Sequence, residues 1–160
     1  MSIRVLPIRI LPISVLPLVV MTACGRISSD VCETFADRDL GITGAEYRPC
    51  AGAILVELDS IQPKLEALVA GDRRQARGAS SSYRALRSLV EDTGIFEDYR
   101  SMRPSTVIVK WPEASTREFN SAAFDATNQY GAVLAHPNED NLRQGVEAHE
   151  VARRAYARIR

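Results

Sequence analysis

His149 is the residue best placed to do chemistry, because it falls on the apolar stripe of a C-terminal helical pattern with Glu150 beside it. A buried imidazole with a pKa near neutrality can serve as a base, a ligand or a switch. Its companions decide among these roles. The zinc-protease helix carries two histidines one turn apart, whereas His149-Glu150-Val151-Ala152-Arg153 places Arg153 at the second ligand position. His136, Glu147, His149 and Glu150 make a metal set only if the loop before the last helix folds back upon it. Covalent haem would need Cys-x-x-Cys-His, which is missing, while a non-covalent haem or small ligand around His149 and Tyr156 is compatible with a helical bundle. The chain has neither a glycine-rich phosphate loop nor a Gly-x-Ser-x-Gly elbow. The expectation is therefore a non-enzyme without a cofactor, in which His149 is a boundary histidine holding one hydrogen-bond partner. Arg153, Arg154, Arg158 and Arg160 crowd the C-terminal turns, where they complement the negative end of a helix. Held near a membrane, the same arginines would also face anionic headgroups or an acidic partner.

The N-terminus carries chemistry of another kind. Arg4 and Arg9 precede an apolar run from Ile10 to Val20, interrupted only by Ser14, and small residues Thr22 and Ala23 lead into Cys24. These are the parts of a secretory signal. The run is shorter than the about 20 residues needed to cross a bilayer as helix. Pro12 and Pro17 disrupt it further as a permanent span. Met21-Thr22-Ala23-Cys24 resembles the lipobox of bacterial lipoproteins, with Met21 where that family usually has Leu. The resemblance covers about the first 24 residues. It implies a diacylglyceryl group on the Cys24 thiol, cleavage before Cys24 and acylation of the new amine, palmitate being one such acyl chain. It also implies an outer-membrane address facing the periplasm, since Gly25 stands where the family's inner-membrane retention signal has Asp.

With Cys24 assigned to lipid, Cys32 and Cys50 remain as an even pair in an exported chain. That pair reads as a disulfide pinning the polar stretch from Asp30 to Thr43 against the first long helix. The expected organisation is a signal peptide over 1–23, a lipidated tether and pinned segment over 24–42, and one helical domain over 43–160. Removing Arg4 and Arg9 from 20 basic residues leaves 18 against 20 acidic ones, a net charge of −2. Such a balance provides no field for nucleic acid.

The elements that must position these groups are helices. Thr43-Gly44-Ala45-Glu46 has capping-box spacing, and Ile54, Leu58, Ile61, Leu65 and Leu68 come after it as a buried stripe that Pro63 should kink or restart near Ser60. Gly78 to Ser82 reads as a turn, with Ser80 or Ser81 capping a helix bearing Tyr83, Leu86, Leu89 and Val90. Gly94 should end that helix in the left-handed conformation, and Phe96 and Tyr99 add a short turn before Pro104. Thr106-Val107-Ile108-Val109-Lys110-Trp111 has strand composition without a second strand to pair with, and is expected as an extended crossover with Trp111 as a core plug. Ser115-Thr116-Arg117-Glu118 reads as a second capping box, and Asn138 should cap the last helix.

The fold expected is all-α, a four-helix bundle-like domain with one extended crossover. At the level of architecture it resembles the pilotins of secretion systems, small helical lipoproteins with a disulfide. That resemblance implies a lipid-anchored interaction module with an envelope protein as partner, and a periplasmic ligand, metal or haem binder is the rival class.

Overall fold

The computed structural model describes residues 30–160 apart from 34 and 101–103, so Met21 to Cys24 lie outside the described residues. The domain is all-α. A short helix α1 (Asp30–Glu33) leads into α2 (Gly44–Val69), α3 (Ala76–Asp92), the short α4 (Ile95–Arg100) and α5 (Pro104–Lys110), then α6 (Ala114–Ala135) and α7 (Glu139–Tyr156). The long helices α2, α3, α6 and α7 form a bundle in which α2 and α6 each pack on the other three and α3 and α7 lie apart.

Local chemistry explains most boundaries. Thr43 caps α2 by accepting the Glu46 N–H at 3.3 Å, and Glu46 returns to accept the Thr43 N–H at 3.0 Å. Asn138 caps α7 by accepting the Asn141 N–H at 2.9 Å. Gly94 takes φ 75° between α3 and α4, a conformation that costs glycine little and a side chain much. The disulfide joins Cys32 to Cys50 across a Cα–Cα distance of 5.2 Å, and both cysteines are fully buried. It draws Phe35 and Ile42 into the core, so the segment before α2 contributes packing as well as a connection.

Four local expectations are corrected. The run from Thr106 to Lys110 is helix, not an extended crossover. With no strand among the described residues to pair with, this β-rich sequence satisfies its backbone internally, starting at a proline whose φ suits a first helical position. The Val109 and Lys110 carbonyls accept from the Gly41 and Ile42 N–H groups at 3.0 and 2.9 Å.

Pro63 does not restart the helix, since α2 runs from Gly44 to Val69. Pro63 and Asp59 both face solvent, where water can satisfy the carbonyl that loses its helical donor.

Gly78 to Ser82 lies inside α3, so neither Ser80 nor Ser81 is a cap. The helix starts earlier because Asp72 accepts the Arg74 N–H at 3.2 Å and sets a 3-10 turn leading into it. The small residues instead admit Lys64 of α2, whose Nζ donates to Ser82 Oγ at 2.6 Å.

Helix α6 begins at Ala114, and the Ser115–Glu118 capping box does not form. Thr116 is buried, Glu118 pairs with Arg158, and the Glu113 carboxylate crosses to accept the Gly44 N–H at 2.7 Å.

Candidate functional site

Helix α7 presents His149 to the bundle interior, where its side chain is fully buried. Gly145, one turn earlier, makes the necessary space. A Cβ there would sit 2.6 Å from the Tyr130 ring, so only glycine lets that ring lie against the α7 backbone. Tyr130 thereby reaches His149, with its hydroxyl 3.1 Å from Nδ1. On the opposite side, Nε2 is 2.9 Å from Asp59 Oδ1 of α2 but off the N–H axis, an electrostatic approach rather than a straight hydrogen bond. Arg153 donates to the same Asp59 oxygen at 2.5 Å and also pairs with Glu150.

This geometry shifts the titration of both rings. Burial, followed by the neighbouring Arg153 charge, pushes His149 below its ordinary value, against the opposing pull of Asp59 and Glu150. Burial pushes the Tyr130 phenol well up. The downward shift favours the neutral imidazole, and in the tautomer with its proton on Nε2 the Nδ1 atom accepts from the Tyr130 hydroxyl. Nδ1 is paired with the Tyr130 hydroxyl, while Nε2 lies beside Asp59 without a straight hydrogen bond. The ring thereby connects α2, α6 and α7.

His149 should also make stability depend on pH. Its folded pKa lies below the 6.5 of an unperturbed imidazole, so the unfolded chain binds this proton first. The stabilisation is full above the unfolded pKa and is lost as pH falls through it toward the folded one. Between about pH 7.5 and pH 5, urea unfolding should show wild type losing more stability than His149→Gln. Parallel pH profiles for the two proteins would contradict it. The charged or titratable groups facing the ring are Asp59 from α2, Tyr130 from α6, and Glu150 and Arg153 from α7.

The other candidates are dispersed. His136 sits exposed at the C-terminal end of α6, about three helical turns along α7 from His149. Glu147 pairs with Arg143 at 3.8 Å. Among the described residues no group of three or more His, Cys, Asp and Glu side chains could hold a metal ion. Tyr156 lies under the Arg48 guanidinium at 4.8 Å and beside Phe119, away from the His149 cluster. Arg158 pairs with Glu118, while Arg154 is exposed. The arginine-rich end is thus partly neutralised by acids of α2, α6 and α7.

Two groupings were not visible from the sequence. One is Asp59, an exposed acid in a helical stripe whose contact with His149 spans most of the domain. The other is a buried ion pair at the α4–α5 end. Lys110 is only 4% exposed, and its Nζ lies 3.3 Å from Asp98 Oδ2, which also accepts the Trp111 Nε1–H at 2.9 Å. A lysine inside the apolar run Val107 to Trp111 was the one signal in the chain. Its partner was not encoded nearby. Gly94 has a second role here, since a Cβ would meet Lys110 Nζ at 2.9 Å.

No family model, curated protein or solved structure matches this chain, so its functional reading rests on its own residues.

Proposed function

We propose that this chain is an exported lipoprotein, anchored through Cys24 to the outer membrane, and that its helical domain acts on the periplasmic side as a non-enzymatic interaction module for an envelope protein. The observation that carries this reading is the buried Cys32–Cys50 disulfide. Such bonds persist in oxidising compartments, and this one leaves Cys24 as the odd cysteine at the end of a signal-like run. The full burial of His149 and its Nδ1 bond to Tyr130 support a structural rather than a catalytic role for the imidazole.

The anchor is tested by Cys24→Ser, which should leave an unprocessed precursor and abolish labelling by a fatty-acid analogue. Persistent labelling of that variant would refute the assignment. Partner identity is read by crosslinking in the native envelope, with mass spectrometry of the adducts. The close approach of His149 to Asp59 is what favours the rival reading, a small-ligand, metal or haem site around His149 and Tyr156. Elemental analysis and an absorption spectrum of natively purified protein decide between them, and a stoichiometric metal or chromophore would favour the rival.

A further inference from the structure

We propose that Leu40, Ile108 and Val109 form a lipid-contacting patch that seats the domain on the bilayer to which Cys24 anchors it. Leu40 is 67% exposed, Ile108 53% and Val109 49%, which is unusual for three large apolar side chains in one small region. Backbone bonds bring their two segments side by side. The Gly41 N–H donates to the Val109 carbonyl and the Ile42 N–H to the Lys110 carbonyl, which clips the Leu40 loop onto the end of α5. On α5 itself, Ser105, Ile108 and Val109 point outward while Lys110 is buried. The patch has a rigid base, because Lys110 and Trp111 are held beneath it by Asp98.

The position of the tether selects the occupant. The chain from Cys24 to Asp30 spans at most about 20 Å, and the disulfide then fastens Cys32 to the first turns of α2. The start of α2 lies at the same end of the bundle as the patch, as the bond from Gly44 N–H to Glu113 shows. A lipid on Cys24 would therefore hold this end of the domain at the membrane. Three half-exposed side chains fall well short of the about 800 Å² per partner of a standard protein interface, which disfavours a second copy. Charge at this end is balanced, with Arg38 paired to Glu46, Arg158 paired to Glu118, and Arg48 and the exposed Arg160 set against the exposed Asp37 and Asp39. Seating is accordingly apolar and insensitive to salt, unlike a polybasic contact.

This inference rests on the lipoprotein reading, and its test separates the two. The full chain carrying its native anchor is reconstituted in vesicles of phosphatidylethanolamine and phosphatidylglycerol, doped with phosphatidylcholine bearing a photoreactive acyl chain. After irradiation, lipid adducts are mapped by peptide mass spectrometry at low and high salt. Adducts should concentrate on the peptides containing Leu40 and Val107 to Lys110 at both salt concentrations. In the variant L40E/I108E/V109E they should fall about tenfold, with the acyl mass on Cys24 retained. Adducts spread evenly over α3 and α7, adducts unchanged in the variant, or crosslinks at these positions to a second copy or another protein would overturn the patch. A Cys24 peptide without acyl mass would instead remove the anchor itself, and the patch proposal with it.

Discussion

Trp111→Ala is expected to destabilise the domain by about 3–5 kcal/mol, the range for truncating a large aromatic in a packed core. The side chain is fully buried, with its ring 4.7 Å from Tyr47 and 6.3 Å from Phe35. It therefore joins α2 to the segment held by the disulfide. Truncation opens a cavity between these elements. It also removes the indole N–H that donates to Asp98 and the ring that lies 5.5 Å from Lys110 Nζ. The expected cost approaches the whole stability of a marginal domain, about 5–15 kcal/mol. Because Trp111 is the only tryptophan, urea unfolding should be monitored by far-ultraviolet circular dichroism in both proteins. Trp111→Phe narrows the contributions, since it keeps most of the packing while losing the N–H donor and part of the ring, and should fall between wild type and Trp111→Ala. A cost below about 1 kcal/mol for Trp111→Ala would mean that this residue is not a core plug.

Breaking the disulfide should produce the second large effect. The chain-entropy account gives about 3 kcal/mol for a loop of this size, here a sequence separation of 18. Cys32→Ala with Cys50→Ala should lower the urea midpoint, and reductant should shift wild type toward the double variant. The effect also has a local signature. Without the bond, the segment carrying Phe35 and Ile42 loses its covalent hold, and the Gly41 and Ile42 amides bonded to Val109 and Lys110 should exchange faster. Equal midpoints with and without the bond would show that core packing alone holds this segment.

The difference between what could be read along the chain and what could not is physical. The Thr43–Glu46 box, the Asn138 cap and the Gly94 turn were legible because each joins groups within a few residues. The stripe from Ile54 to Leu68 was legible because helical period alone brings those side chains to one face. The α5 run misled because β-branched composition reports a fit to a pleated surface, and no strand among the described residues supplies one. Ser115 to Glu118 has the spacing of a cap, yet burial of Thr116 and the pull of Arg158 on Glu118 override it. Pro63 does not restart its helix, and it and Asp59 lie on the exposed side of α2.

The site divides in the same way. His149 stood out as a histidine on an apolar stripe, and its two partners did not, because Asp59 and Tyr130 come from other helices. Neutrality of the imidazole depends on burial and on the Arg153 charge, and both are products of packing.

By itself the amino-acid sequence determined the helical periods, the α2 and α7 caps and the even cysteine pair, and it carries the lipobox-like run on which the anchor proposal depends. These are patterns of composition and of contacts within about one turn. Tertiary structure decided that Lys110 pairs with Asp98, that His149 meets Asp59 and Tyr130, and that the Gly41–Ile42 backbone is bonded to the end of α5. Those contacts exist only when separate elements pack, and the desolvation that gives a buried lysine or histidine its properties arises only in that packed state.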